Sequence, residues 1–345
     1  MGKKGKSKMK KIITLILALS LVFTVASCGK STVSETTENG LKKITFCLDW
    51  TPNTNHTGIY AAKALGYYEE AGIDLEIVQP PEDGASLMCG AGQAQFAIDA
   101  QDVLAANFVS DSPLGVTAVA AIINHNTSGV IARAGEGIAT PKGLENKRYS
   151  TWDSPIELAM LKHVVAADGG DFGKTRLIPN TITDEAAALA ENQTDAIWIF
   201  YGWGGINAEL SGLDFDYWNF KDIDPVFDYY TPVIIANNDF LKNDPETAKA
   251  FLEATKKGYE YAIENPDEAA DLLIAGDNTG SLAGSEELVK ASQKWISAQY
   301  VADGESWGYI DGERWDAFYG WLYENNLIEN EIPKGFGYSN DYISY

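Results

Sequence analysis

Lys43-Ile-Thr-Phe-Cys-Leu48, Asp49-Trp-Thr-Pro-Asn-Thr-Asn-His-Thr-Gly58 and Ile59-Tyr-Ala-Ala-Lys-Ala-Leu-Gly-Tyr-Tyr-Glu-Glu-Ala71 follow one another directly, and Gly72-Ile-Asp-Leu-Glu-Ile-Val78 comes next. The first piece alternates apolar and polar side chains, as a half-buried strand does. The second is a polar loop. The third places Ala61, Ala62, Leu65 and Tyr68 on one helical face, Gly72 stops it, and residues 73–78 alternate again. Strand, helix, strand is the repeating unit of a parallel sheet covered by helices, so this opening predicts an α/β fold.

The same rhythm continues along the chain. Residues 84–89 and 102–108 read as helices and 95–98 as a strand. Residues 116–123 form a continuous apolar run, as expected of a strand buried on both faces. A second series opens at Pro141, with strands at 148–151, 175–178 and 196–200. Helices at 155–167, 184–191 (Asp184 as N-cap) and 206–210 separate and follow them. A strand at 230–236 precedes helices at 245–265, 267–275, 286–300 and 312–326. The expected architecture is two α/β lobes with mainly parallel sheets and a ligand cleft between them. Residues 43–130 begin lobe 1, 131–228 form lobe 2, and 229–345 return to lobe 1. Hinge segments fall near 130–134 and 228–231.

The first thirty residues carry an address. Six lysines lie in the first eleven positions, and an apolar run from Ile12 to Val25 follows. That run is too short to span a bilayer and suits a signal peptide. It ends in Val25-Ala-Ser-Cys28, small residues before a cysteine, which resembles a lipobox. Residues 1–27 are therefore expected to be removed and Cys28 to become a lipidated N-terminus. A plain secretory peptide is the alternative. Residues 28–42 read as a polar, flexible tether.

The chain has 26 Lys+Arg against 49 Asp+Glu, a formal charge of −23. Such acidity repels nucleic acid and anionic lipid, and it suits a soluble monomer. Cys47 and Cys89 lie in no CxxC or Cys/His cluster, so no metal site is legible. Each reads as a buried thiol, with a disulfide between them as the alternative. Cys89-Gly-Ala-Gly-Gln93 lacks the third glycine of a dinucleotide fingerprint, and no cofactor is expected.

In open α/β sheets ligands sit beyond the carboxyl ends of the strands. Five loops qualify, and they supply two kinds of group. Trp50, Trp152, Tyr201 and Trp203 can sandwich a flat ring. Asn53, Gln101, Asn126, Thr127 and Ser128 can satisfy ring nitrogens and amino groups, while Asp99 and Asp102 either contact an amino group or cap the next helix. His56 either bonds loop backbone and fixes the cleft wall or touches the ligand directly. No second histidine lies at metal-ligand spacing from it.

The segment Asp49-Trp50-Thr-Pro-Asn53-Thr-Asn-His56-Thr-Gly58-Ile-Tyr60 is similar to the opening of the thiamine-pyrimidine precursor-binding family. These are solute-binding proteins of ABC importers, related to alkanesulfonate and riboflavin binders. Further likeness lies in Ala94-Gln-Phe-Ala-Ile98, in residues 120–129, and in Ser154-Pro-Ile-Glu157. The resemblance implies a type II periplasmic-binding fold and an aromatic pyrimidine ligand, the hydroxymethyl- or formamido-pyrimidine precursor of thiamine. It extends the candidate set to Ser154 and Glu157. It also implies ABC permease subunits as partners and a lipid-anchored site on the outer face of the bacterial cytoplasmic membrane. In one place the chain departs from its relatives. They often carry an acid shortly after the aromatic cluster, and this chain has Gly204 there. Asp99, Asp102 or Glu157 then receives the ring amino group, or the ligand lacks one. The iron-associated cysteine motif of the pyrimidine-synthase relatives is absent, so the expectation is a binding protein and not an enzyme. Riboflavin or another aromatic or sulfonate solute is the alternative ligand. A secreted enzyme using His56 is a remoter reading, and a surface adhesin or sensory module another.

Overall fold

The computed structural model of the protein describes residues 36–180, 182–301 and 306–345. The signal segment, Cys28 and most of the expected tether lie outside these residues. Residues 36–41, assigned to the tether, close a turn onto the first strand. Thr37 N donates to Leu41 O at 2.8 Å, and Thr36 bridges to Lys42.

Among the described residues, ten strands build two sheets. β1 (Lys42–Cys47), β2 (Ile73–Val78), β3 (Phe96–Asp99) and β4 (Val116–Ala121) belong to sheet 1. β5 (Ser128–Arg133), β6 (Arg148–Thr151), β7 (Arg176–Pro179), β8 (Ala196–Phe200) and β9 (Phe215–Asn219) form sheet 2. β10 (Val233–Asn237) returns to sheet 1. The orders are β2-β1-β3-β10-β4 and β7-β6-β8-β5-β9. In each sheet four strands run parallel, and the antiparallel one is the first to arrive after a crossing between lobes: β5 in sheet 2 and β10 in sheet 1. The expected α/β architecture with two lobes is what the chain adopts.

Three local features depart from the sequence reading, each for a physical reason. The helix expected over 59–71 is two helices, Thr57–Ala64 and Tyr67–Glu70, because Gly66 turns into the left-handed region at φ +81°. The lobe boundary at 130/131 and the hinge near 130–134 fall instead in β5, the inner antiparallel strand of sheet 2. Gly129 there pairs with Asn219, and a Cβ on it would lie 2.2 Å from Trp218 O. The first crossing is residues 122–127; the second, residues 220–232, contains the expected 228–231 segment. β9 was not expected at all.

Helices from the C-terminal part pack on sheet 1. Phe251 of the helix Pro245–Glu264 stacks on Phe96 of β3 at 4.0 Å, and Tyr259 stacks on Trp307 at 4.2 Å. In lobe 2, Trp198 of β8 packs on Phe220 at 4.0 Å. Cys47 and Cys89 are free, buried thiols. Among the described residues no helix is long and apolar enough to cross a membrane.

Candidate functional site: the cleft between the lobes

A cleft of about 330 Å³ opens where the carboxyl ends of β1, β3, β6 and β8 face one another. Lobe 1 contributes Asp49, Asp99, Ala100, Asp102 and Val103. Lobe 2 contributes Trp152, Ser154, Ile156, Glu157, Trp198 and Phe200, and the second crossing adds Tyr229 and Thr231.

The lobe 1 wall is acidic. Asp49 is held by His56, whose ring is fully buried. His56 Nδ1 accepts from Asn53 N–H at 3.3 Å, which leaves Nε2–H to donate to Asp49 Oδ1 at 2.8 Å. His56 therefore fixes the wall, the first of its two expected roles. Asp99 ends β3 and accepts from Ala100 N at 2.8 Å. Burial pushes its carboxyl up to about 7, with the charges of Asp102 and Asp49 adding to the rise. Asp102 lies in the first turn of the helix Gln101–Phe108; burial raises it to about 6 against the pull of that turn's own amides.

The lobe 2 wall is aromatic. Trp152 is half exposed and leans on Trp198 at 5.9 Å between ring centres. The Trp198 indole N–H is buried without a protein acceptor. Ser154 caps the helix Pro155–Ala167, reciprocated by Glu157. The Glu157 carboxylate also accepts from Tyr149 Oη and Thr151 Oγ1, each at 2.9 Å, and from Trp152 N at 3.1 Å. Its lone pairs are taken, so Glu157 orients Trp152 and is not free to receive an amino group.

Of the sequence candidates, the structure brings Asp99, Asp102, Trp152, Ser154 and Glu157 to the cleft. Most of the others make scaffold contacts, while the buried Ser128 Oγ has no hydrogen-bond partner among the described residues. Asn53 caps the 3₁₀ turn Thr54–His56. Gln101 is fully buried, donating to Trp315 O at 2.8 Å and accepting from Tyr230 N at 2.9 Å. Asn126 donates to Phe227 O and accepts from Ser128 N, both at 2.8 Å, which braces the two crossings. Thr127 O accepts from Tyr217 Oη at 2.8 Å. Trp50 is 64% exposed beside Asp49 and is not among the lining residues. Tyr201 and Trp203 lie in the π-helical turn Tyr201–Gly205, packed on Trp295 and on the lobe 1 core respectively. A Cβ on Gly204 would lie 3.0 Å from Ile199 and 3.6 Å from Glu185 Oε2. Ile199 faces away from the side of β8 that carries Trp198 and Phe200, so an acid at 204 would not start toward this cleft.

Sequence reasoning missed Asp49, Trp198, Phe200, Tyr229 and Thr231. Asp49 and Phe200 do stand at strand ends, where a ligand is expected; the tryptophan beside Asp49 drew the reading instead. Trp198 read as strand interior.

Two α/β lobes joined by two crossings, with a cleft at their strand ends, define the class: this is the fold of periplasmic solute-binding proteins. The chain belongs to the NMT1/THI5-like family, whose profile matches residues 53–269. It is 29% identical to a formylaminopyrimidine-binding protein from Halalkalibacterium halodurans, over 94% of this chain and 96% of that one. It is 27% identical to a 4-amino-5-hydroxymethyl-2-methylpyrimidine phosphate synthase from Saccharomyces cerevisiae, over 66% of this chain and 69% of that one. Among solved structures it is similar to the alkanesulfonate-binding protein SsuA from Xanthomonas axonopodis pv. citri bound to MOPS. The TM-score is 0.64 over 86% of this chain and 98% of that one, at 11% identity, a likeness of fold.

Proposed function

We propose that this protein is the solute-binding component of an ABC importer and that its cleft takes a small planar amino-heteroaromatic. A formylamino- or hydroxymethyl-pyrimidine precursor of thiamine is the first choice. One observation carries the reading: an acidic wall faces an aromatic wall, and no lysine or arginine is among the described residues that line the cleft. Stacking on Trp152 suits a flat ring, and Asp99 or Asp102 suits a ring amino group. The same wall opposes a sulfonate. The cleft volume is near the lower end of the roughly 300–1,000 Å³ typical of ligand pockets, which favours one ring over the three of a flavin. The likeness to a formylaminopyrimidine-binding protein over nearly the whole chain supports the ligand class. Binding without turnover is the activity, since His56 is committed to Asp49 and Asn53.

The remaining parts of the proposal follow from the N-terminal sequence and the two-lobed fold. Cys28 is lipidated, the protein is a monomer on the outer face of the cytoplasmic membrane, its lobes close on ligand, and it delivers to permease subunits. The mass and ultraviolet spectrum of whatever co-purifies test the ligand: an aminopyrimidine, recovered unchanged, is expected, and a sulfonate would refute it. Cys28→Ala should release the protein to the medium.

A further inference from the structure

The π-helical turn Tyr201–Gly205 continues β8 past the cleft and reaches the other lobe. Its partner is the helix Glu286–Ile296, which belongs to lobe 1. Tyr300, just beyond that helix, donates to Thr54 O at 2.5 Å, and Lys290 and Lys294 pair with Asp271 and Asp267 at 2.8 and 3.0 Å. From this base Ser292, fully buried, donates its hydroxyl proton to Gly202 O. A hydroxyl has one proton, so Thr54 Oγ1 must donate to Ser292 Oγ across their 2.6 Å contact. The chain of bonds thus runs from lobe 1 through Ser292 into the backbone of lobe 2.

Packing follows the same line. Tyr201 lies 5.2 Å from Trp295 between ring centres, and Trp203 packs against the lobe 1 core. Gly202 is the point of closest approach. A Cβ there would lie 3.1 Å from Trp295 Cζ3, 3.3 Å from its Cε3 and 3.4 Å from Ile296 Cδ1. None of Gly202, Trp203, Ser292 and Trp295 lines the cleft.

We infer that Ser292 and Trp295 form an interlobe clasp on the Tyr201–Gly205 turn, a set of positioning residues that holds the lobes together beside the ligand and so sets how tightly the cleft binds. The apparent affinity of a two-state binder is its intrinsic affinity scaled by the fraction in the competent state. A contact that exists only when the lobes meet raises that fraction without touching ligand. The affinity part of the inference rests on the proposed binding role; the clasp itself does not.

The test places dyes at the exposed Glu70 and Arg176, one on each lobe, by non-cysteine chemistry in the full chain. Single-molecule energy transfer reads their separation, first with no ligand added. The wild type should populate the short separation in a measurable fraction of molecules, which ligand then increases. Ser292→Ala, Trp295→Ala and Gly202→Val should each shift the open-to-closed ratio at least about tenfold toward open. Identical distributions in the wild type and in folded Ser292→Ala protein overturn the clasp. So does a folded Gly202→Val variant whose distribution matches the wild type. With 4-amino-5-hydroxymethyl-2-methylpyrimidine as probe, Ser292→Ala should raise the dissociation rate about tenfold and leave the association rate unchanged. A wild type that ignores this pyrimidine refutes the ligand reading and leaves the first measurement to decide the clasp.

Discussion

The two walls of the cleft are made of unlike material. Lobe 1 presents three carboxylates and no ring; lobe 2 presents Trp152, Trp198 and Phe200, and its one lining carboxylate is saturated by hydroxyls and amides. Charge and hydrogen bonding therefore come from one lobe, and stacking comes from the other. For the proposed planar amino-bearing ring, neither wall alone suffices, and any contact that brings the lobes together contributes to affinity.

The comparison breaks first at the acidic wall. Asp99→Asn combined with Asp102→Asn should weaken aminopyrimidine binding on the order of 100-fold, since a hydrogen bond to a charged group contributes roughly 1.5–3 kcal/mol. Isothermal calorimetry reads this, and an effect under threefold would remove lobe 1 from the account. Next comes the aromatic wall. Trp152→Ala should cost about tenfold in Kd, about 1.4 kcal/mol, with thermal stability nearly unchanged because the ring is half exposed.

Acidity sharpens the contrast by several-fold. With Asp99 raised to about 7 and Asp102 to about 6, both become fully ionised only above neutral pH. Binding of an amino group should tighten between about pH 5 and about pH 8, and Asp99→Asn should flatten that slope. Stability moves the other way. Between about pH 4 and about pH 7 the folded state holds protons that the unfolded chain has released, so these two groups make the fold less stable as pH rises. Asp99→Asn should remove part of that decline in a denaturant titration. The smallest effect is expected at Trp50→Ala, under about threefold in Kd, because Trp50 is exposed beside the wall and not in it. A tenfold loss there would move the aromatic wall to lobe 1.

Legibility in the sequence divides along the same line. Elements with a clean period were readable: β2 falls exactly where its alternation ends, and Asp184 caps its helix through Ala187 N at 3.0 Å. β5 was not readable, because Ser128-Gly129 resembles a turn and only the nearby Trp218 carbonyl of β9 explains the glycine. In the site, Asp99 and Asp102 were legible, since only a ligand or a helix terminus accounts for acids there, while Asp49 was passed over for the tryptophan beside it. Aromatic residues and amides were over-read. Tyr201, Trp203, Gln101 and Asn126 have the chemistry of ligand groups, but the lobe seam and the crossings, which bring together residues far apart in sequence, take them up.

Calorimetric titration of the intact protein with formylaminopyrimidine and 4-amino-5-hydroxymethyl-2-methylpyrimidine, against riboflavin and a sulfonate such as MOPS, tests the central claim most directly. One aminopyrimidine should bind at one site per chain with a Kd of about 1 μM or below, near −8 kcal/mol, and the sulfonate at least 100-fold more weakly. A sulfonate that binds more tightly than either pyrimidine, or pyrimidine binding that survives loss of both Asp99 and Trp152, would contradict it.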